Sequence, residues 1–375
     1  MIVTDITQLM ERAQSHLDED DFETARADYE AILKQNSETP EALIGLGDCC
    51  FGLGEYEVSE EAYRSALQAA PSDPDALFGL AAVLRVTEYF EEAVSLYERG
   101  FDAEPGRTEA YWELAYSREM SGDKAGAEHA YKSCLIYHPD HGMAGHLLAA
   151  MTGAKTRRAP RNYVRDLFDD YADTFDADLV GDLNYVVPRL IETTLSTYLT
   201  AYPASKLPPF ERVLDLGCGT GLVAEAIRPL ATHITGVDLS SKMLDIAVSE
   251  HRIDKAIVSD MIDFVNPSKN IGDHRYDLVV CGDALVYLGA LEDVVNGVSH
   301  QLVEGGVFCF TVEDLAEEHF ALRPSGRYAH HETYVSDLLI GSNQAVLSKS
   351  AIVPRRDSDQ EILGRLFLSQ YCSPD

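Results

Sequence analysis

A 34-residue period runs through the first 140 residues and restricts the folding of this chain more than any other feature. Segments that begin at Pro40, Pro74 and Thr108 align at this offset, and counting back from Pro40 reaches Ile6. Position 20 of each unit is small and position 24 is tyrosine: Ala25, Ser59, Ala93 and Ala127, then Tyr29, Tyr63, Tyr97 and Tyr131. A helical pair that repeats in this way cannot bury its apolar face alone, so neighbouring units must stack.

This period and pattern resemble the tetratricopeptide repeat, a helix-turn-helix unit. The resemblance covers about residues 5–140, which hold four units. Residues 142–151 begin a fifth unit and stop, which is typical of a capping helix. We therefore expect an all-α repeat domain over residues 1–151.

In that family the first helix of each unit lines a concave groove. Position 5 is apolar here and position 9 is mixed: Met10, Ile44, Phe78 and Trp112, then Gln14, Asp48, Ala82 and Tyr116. The ligand-facing positions of that family are usually 2, 5, 9, 12 and 13, and the Lys, Arg and Asn residues with which some members grip a peptide carboxylate are missing from them here, apart from Arg85. The pattern predicts an apolar, acidic-walled groove for an apolar or basic segment of a partner protein; alternatively, the groove docks the second domain of the same chain.

The pattern changes after the repeats. Residues 152–161 are polar and basic, which indicates a linker. From residue 162 to residue 375 strands and helices alternate, which predicts a mostly parallel sheet with helices on both faces. We expect strands at 212–216, 233–237, 255–259, 277–281, 307–312, 345–353 and 363–369. We expect helices at 163–175, 185–198, 222–227, 242–250, 291–301 and 332–339.

The first of these strands ends in a glycine-rich turn, Val213-Leu214-Asp215-Leu216-Gly217-Cys218-Gly219-Thr220-Gly221. Such a turn between a strand and a helix places a ligand at the carboxyl edge of the sheet, and glycine lets the backbone approach it. The dinucleotide-binding fingerprint requires a third glycine where this chain has Leu222, so it does not match. Two later strands also end in acids, Asp238 and Asp260.

This combination resembles the class I S-adenosylmethionine-dependent methyltransferases over about residues 162–375. The resemblance implies a Rossmann-like α/β fold with a seven-stranded mixed sheet, and S-adenosylmethionine as cofactor. It implies that amides at the helix start hold the methionyl carboxylate, with Asp215 near the ammonium. Asp238 would take both ribose hydroxyls, and Asp260 and Met261 would meet the adenine. The cofactor-binding set that it implies is Asp215, Gly217, Cys218, Gly219, Gly221, Asp238, Leu239, Met243, Asp260, Met261, Asp283, Tyr171 and Tyr163.

More narrowly, residues 167–172, residues 285–289 and Ser325-Gly326-Arg327-Tyr328-Ala329-His330 are similar to a family of methyltransferases that carry tetratricopeptide repeats. In related enzymes the first helix folds over the ligand, which makes Tyr171 a lid contact with Tyr163 behind it. The alternatives are that Tyr171 belongs to the core and that Asp260 is a simple N-cap.

Methyl transfer needs positioning and a dry site, and it needs a general base where the acceptor carries a proton. Asp283, Tyr287 and His330 fall in segments expected at the ligand edge and are the catalytic candidates. Adjacent His330 and His331 would point in different directions, so no metal site is expected. The turn Gly282-Asp283-Ala284-Leu285 differs from the Asn/Asp-Pro-Pro-aromatic turn of enzymes that methylate exocyclic amino groups. We expect a small-molecule or protein acceptor.

Two other functions stay open at this point. A non-catalytic scaffold would bind the cofactor and present the repeat groove without transferring a methyl group. A nicotinamide-dependent oxidoreductase would use the same sheet edge, although Leu222 disfavours it.

Charge and composition narrow the partners and the location. The 63 acidic and 30 basic residues give a formal net charge of -33, which disfavours nucleic acid and anionic lipid. The sequence has neither a basic-apolar leader nor an apolar run long enough for a membrane span. Its 7 cysteines are an odd number without a CxxC pair, which fits a reducing compartment. We expect a cytoplasmic protein.

Overall fold

The chain divides into two compact units, Met1–Leu148 and Ala149–Asp375. The computed structural model describes residues 6–181, 185–202, 209–266, 275–316, 319–357 and 360–373. None of the helices in these ranges is both long enough and apolar enough to cross a bilayer.

The first unit is a series of paired helices. Pro40 and Pro74 occupy the first turn of their helices, where a missing N–H is tolerated. The side chains of Asp21, Asp73 and Asp123 cap three helices by accepting backbone hydrogen bonds. The helices are α1 Ile6–Asp18, α2 Phe22–Leu33, α3 Pro40–Gly52, α4 Tyr56–Ala69, α5 Pro74–Val86, α6 Phe90–Ala103, α7 Tyr111–Met120 and α8 Lys124–Tyr137.

Tyrosines of one repeat pack on glycines of the next. A Cβ at Gly45 would overlap the ring of Tyr29, and a Cβ at Gly79 would overlap the ring of Tyr63. The small residues at position 20 are fully buried between helices: Ala25, Ser59, Ala93 and Ala127. The structure thus confirms the predicted helical repeat and the reason for its small and aromatic positions.

Part of the segment predicted as a linker is held by backbone hydrogen bonds within the second unit. Helix α9 (Gly142–Thr152) ends at the first residue of that segment. The amides of Gly289 and Ala290 donate to the carbonyl oxygen of Arg157 over 2.9 and 2.8 Å. The amide of Ala159 donates to the carbonyl oxygen of Tyr287 over 2.9 Å. Residues 156–159, hereafter the 156–159 segment, are therefore part of the second unit. The domain boundaries expected from the sequence, with a linker over residues 152–161, stay a prediction.

The second unit is built on a nine-stranded sheet with a main path of seven strands, β3-β2-β1-β4-β5-β11-β8. The first five strands of this path are parallel to one another, while β11 is antiparallel to both of its neighbours. The main path agrees with the expected seven-stranded mixed sheet, and β7 with β6 extends it from β5. The strands are β1 Phe210–Leu216, β2 Ala231–Asp238, β3 Lys255–Val258, β4 Tyr276–Cys281, β5 Leu302–Asp314, β6 Phe320–Leu322, β7 Tyr328–His330, β8 Gln344–Ile352, β9 Arg356–Asp357, β10 Gln360–Glu361 and β11 Gly364–Tyr371.

Helices cover both faces of this sheet. Val187, Ile191 and Val223 belong to the core on one face, and Val294 and Leu339 belong to the core on the other. The helices are α10 Arg161–Tyr171, α11 Phe175–Gly181, α12 Val187–Ala201, α13 Leu222–Ile227, α14 Ser241–Ser249, α15 Met261–Val265, α16 Glu292–Gln301 and α17 Glu332–Gly341. The expected helix over 163–175 is two helices, because the chain turns between Tyr171 and Phe175.

Candidate functional site

The carboxyl ends of β1, β2, β3 and β4 open into a crevice whose other wall is formed by residues of α10 and α11. With its open mouth included, the crevice holds about 1370 Å³ of empty space.

The glycine loop at the end of β1 has the conformation that its sequence predicts. Gly217, Gly219 and Gly221 have φ angles of 67°, 52° and 86°, a left-handed region that other residues rarely adopt. A Cβ at Gly217 would also overlap that of Ala284. The amides of all three glycines, and that of Cys218, already donate within the protein. Backbone donors for a ligand would therefore come from Thr220 or from the chain beyond Gly221.

Asp238 ends β2 and lines the crevice. One carboxylate oxygen accepts the amide of Gly219 over 2.9 Å, and the other accepts the amide of Ser240 over 2.9 Å. Because a carboxylate oxygen can accept two hydrogen bonds, each oxygen keeps one acceptor site. Asp238 can thus receive two hydroxyl donors from a ligand while it holds the glycine loop in place.

Asp215 lies beneath the glycine loop and is fully buried. Neither carboxylate oxygen has a hydrogen-bond partner among the described residues. Burial and the nearby charge of Asp238 raise the pKa of Asp215 to about 7. The backbone N–H of Ala224 lowers this pKa, but by less than burial and Asp238 raise it. A buried carboxylate without a donor is costly, and a cationic ligand group close to the loop would stabilise it.

Asp260 caps α15 and is also held by two arginines, an arrangement that the sequence does not reveal. Arg158 lines the crevice and contacts the Asp260 carboxylate, and Arg161 Nε lies 3.3 Å from it. Burial raises the pKa of Asp260, but the two guanidinium groups outweigh burial and the net shift is downward. The N-cap alternative therefore describes part of its role, and any ligand contact is shared with Arg158.

The aromatic side chains of α10 and α11 form one wall of the crevice. The Phe168 ring lies 5.9 Å from that of Phe175 and 5.5 Å from that of Tyr287, and the Tyr171 ring lies 5.4 Å from that of Phe175. Three of these side chains, at 168, 171 and 175, come from the predicted first helix. The lid position expected for Tyr171 is consistent with this wall.

Polar contacts fix both helices to the loops at the sheet edge. Ser240 Oγ donates to a carboxylate oxygen of Asp169 over 2.5 Å. Thr220 Oγ1 donates to Asp176, whose other oxygen accepts from Arg252 over 2.6 Å. The wall is thus tied to the ends of β1 and β2.

Beyond β4, a charged cluster that we call the β4 end consists of Asp283, Tyr287, Arg327 and Arg355, all of which line the crevice. Arg355 contacts the carboxylate of Asp283 and donates to Glu313 over 2.5 Å. Burial raises the pKa of Asp283 to about 6, and the Arg327 charge lowers it in part. The Arg355 contact also favours the charged form, so we expect Asp283 to be ionised at neutral pH.

Five residues of the predicted set do not line the crevice. His330 is fully buried, and its Nε2 donates to the carbonyl oxygens of Leu288 and Gly289 over 2.8 and 3.1 Å. Burial lowers the pKa of His330 to about 4, so its ring is neutral. The other four that fall outside the lining are Asp215, Tyr163, Met243 and Gly221. A catalytic contact by His330 is therefore not supported, because its ring is a buried structural donor.

Several crevice residues escaped the sequence analysis. Arg158 was assigned to the linker, and Arg355 and Tyr185 carry no local motif. Arg327 lies in the segment Ser325–His330, whose similarity to repeat-bearing methyltransferases is the one sequence feature that marks it. Its place in the crevice depends on the pairing of β7 with β5.

Comparisons with known proteins match one segment in each unit of the chain. A tetratricopeptide-repeat model matches residues 10–74, and a methyltransferase-domain model matches residues 214–308. The second match begins within β1 and ends within β5. It therefore includes the glycine loop, Asp238, Asp260 and Asp283.

Curated relatives match parts of this chain. The malonyl-(acyl-carrier protein) O-methyltransferase of Enterobacter lignolyticus is 29% identical over 130 residues, which are 34% of this chain and 50% of that protein. The ubiquinone biosynthesis O-methyltransferase of Serratia proteamaculans is 30% identical over 102 residues, 27% of this chain and 42% of that protein. The chain spans half or less of the length of these relatives.

Among solved structures, an S-adenosylmethionine-dependent methyltransferase from Clostridium acetobutylicum is 19% identical with a TM-score of 0.40. The match covers 55% of this chain and 100% of that one. By the two family matches, the chain combines tetratricopeptide repeats with a methyltransferase domain.

Proposed function

We propose that the second unit binds S-adenosylmethionine in the crevice and transfers its methyl group to an acceptor at the β4 end. The observation that carries this proposal is Asp238. Its two oxygens each keep an acceptor site, and Asp238 lines a crevice whose strand-end wall belongs to the segment that matches the methyltransferase domain. A ribose supplies two neighbouring hydroxyl donors, which fit this carboxylate.

Other residues of the crevice fit the remaining groups of this cofactor. Asp215 is a buried carboxylate without a donor, and the ammonium of the methionyl group would supply the missing positive charge. Leu239 and Met261 give the crevice apolar surface near Asp238 and Asp260, as an adenine ring requires. The proposed adenine contact of Asp260 would be shared with Arg158.

The methyl group of a sulfonium is already activated, so the protein has to position the acceptor in line and exclude water. The aromatic wall of α10 and α11 is suited to excluding water. Asp283 and Tyr287 lie at the β4 end and would shape the acceptor site. The two curated relatives are O-methyltransferases, which favours an oxygen atom as the acceptor.

Calorimetry with the product S-adenosylhomocysteine tests cofactor binding without knowledge of the acceptor. Wild-type protein should bind it saturably. Asp238→Ala should weaken binding by about tenfold or more, because hydrogen bonds to a charged group are lost. Asp245→Ala is the matched control, since Asp245 is an exposed acid on α14 outside the crevice lining.

Wild-type protein that gives neither heat nor a thermal shift with this ligand would contradict the proposal. Binding without methyl transfer to any acceptor would instead favour the cofactor-sensing scaffold.

We also propose that the repeats bind a partner segment that is apolar or basic. Trp112 supports this, since it stands at position 5, is only partly buried and lies 5.4 Å from the Arg85 guanidinium. Phe78 does not contribute, because it is 6% exposed and its ring packs 5.3 Å from that of Phe101. Of the two aromatic residues at position 5, Trp112 is therefore accessible to a partner and Phe78 is not.

A further inference from the structure

The β4 end of the crevice contains two arginines that differ in how they are engaged. Arg355 is 6% exposed at its side chain and lies between two carboxylates, those of Asp283 and Glu313. Its charge is matched twice by close contacts. Arg355 therefore fixes Asp283 and Glu313 in place and has few N–H groups left for a ligand.

Arg327 is placed differently. Its side chain is 30% exposed, lines the crevice and donates one hydrogen bond to the Tyr287 hydroxyl, which leaves its other N–H groups for a ligand. The nearest carboxylate oxygen, Glu313 Oε1, lies 3.9 Å away, which is longer than a hydrogen bond. The planar fork of a guanidinium matches a carboxylate, and a partly desolvated guanidinium binds it more strongly than one in water. Arg327 is thus positioned to bind an anionic group of a molecule in the crevice.

The crevice offers poor general bases. No histidine occurs among the described residues that line it. Burial raises the pKa values of Tyr185 and Tyr287, so both hydroxyls keep their protons at neutral pH. Asp283 is tied to Arg355, and a carboxylate in an ion pair is a weak proton acceptor. An acceptor atom that carries no proton suits such a site better than a hydroxyl or an ammonium.

We propose that the methyl acceptor is a carboxylate with an aromatic or alkyl body, bound by Arg327 and methylated on a carboxylate oxygen. This rests on the proposed methyl transfer. A lone pair of the carboxylate oxygen forms a bond to the methyl carbon, and the bond from this carbon to sulfur breaks with its electron pair going to sulfur. The products are a methyl ester and neutral S-adenosylhomocysteine, and no proton has to leave. The apolar body would lie against side chains such as Phe168 and Leu179, which also line the crevice.

Binding is tested with the full chain loaded with S-adenosylhomocysteine, by saturation-transfer NMR with two matched pairs of probes. Phenylacetate and octanoate should bind, while phenylacetamide and octanamide, which have the same bodies without the charge, should bind far more weakly. Arg327→Gln should weaken binding of both acids by about tenfold or more, as expected when a charge-assisted hydrogen bond is lost. Its affinity for S-adenosylhomocysteine should stay at the wild-type value, which shows that the variant is folded.

Arg323→Gln is the matched control. Arg323 also approaches Glu313, at 4.0 Å, but it lies outside the crevice lining. This variant should bind both acids as wild type does. Amides that bind as well as the acids, or an Arg327→Gln variant that keeps wild-type affinity for them, would overturn the proposal.

The product distinguishes the acceptor atom. With tritium-methyl S-adenosylmethionine and either acid in excess, the label should become volatile after mild alkali, because a methyl ester releases methanol. Label that resists alkali would overturn ester formation and leave methyl transfer standing. Failure of wild-type protein to bind S-adenosylhomocysteine would count against the proposed function itself.

Discussion

The burial of Asp215 lowers the stability of the folded protein at neutral pH, and its surroundings explain why. Its carboxylate is fully buried, has no donor among the described residues, and has a pKa raised from 3.8 to about 7. Between these values the unfolded chain releases a proton that the folded chain keeps. The stability that this group contributes is therefore complete below about pH 4 and is lost as the pH rises towards about 7.

Replacing this residue should remove that pH dependence. In ligand-free protein, the free energy of unfolding of Asp215→Asn minus that of wild type should increase between about pH 4 and about pH 7, by roughly 1.4 kcal/mol for each pKa unit removed. Thermal unfolding at several pH values measures this, and other titrating groups cancel in the difference. A difference that stays constant with pH would show that Asp215 is already ionised in the folded state.

Single residues also show what a sequence can and cannot reveal about this crevice. Asp215, Gly217 and Asp238 were predicted as site residues because the pattern that marks them is local in sequence. It consists of a strand end and a glycine turn. Asp260 was found, but its pairing with Arg158 spans 102 positions and no local pattern reports it. The pairing of Arg355 with Asp283 spans 72 positions and is equally invisible.

Among the helices, close packing between repeats depends on glycine where the tyrosine of one unit meets the next. Gly45 is buried within α3, and the ring of Tyr29 occupies the space of a side chain there. Gly145 in α9 is different, since a Cβ there would meet only Leu135 at 3.8 Å, an ordinary contact. The two glycines provide a matched pair of substitutions.

Gly45→Ala should destabilise the repeat unit. Overpacking costs roughly 1–3 kcal/mol, and the better helix propensity of alanine offsets about 1 kcal/mol of it. Gly145→Ala should be neutral or stabilising by up to about 1 kcal/mol. Urea unfolding followed by the fluorescence of Trp112, the only tryptophan of the chain, measures both. Equal stability of the two variants would contradict the packing described for Tyr29.

The helices and strands were predictable in proportion to their length and regularity. Long apolar strands such as β1 and β5 are bounded by turn residues, and repeat helices have a period to align. β6 and β7 have three residues each, which is too short for an alternating pattern to appear. The sequence did not predict α15, which follows Asp260, or the break after Tyr171 that separates α10 from α11. Both depend on capping and tertiary contacts.

For the whole chain, charge is the property that most affects association. The formal net charge of -33 favours basic partners, and Trp112 in the repeats lies beside the Arg85 guanidinium. A synthetic peptide of alternating leucine and lysine should change Trp112 fluorescence, and added salt should weaken the effect. A leucine-glutamate peptide is the control, and binding of both peptides with equal affinity would contradict the proposed selectivity.

The pairing of the 156–159 segment with residues 287–290 has a practical consequence for anyone who wishes to study the methyltransferase domain by itself. A truncated chain that starts at residue 162 would deprive the amides of Gly289 and Ala290 of the Arg157 carbonyl that accepts from them, and would remove the Arg158 guanidinium from Asp260. Starting at Ala149 preserves these bonds, so a poorly behaved short fragment would reflect where it was cut and say nothing about a need for the repeats.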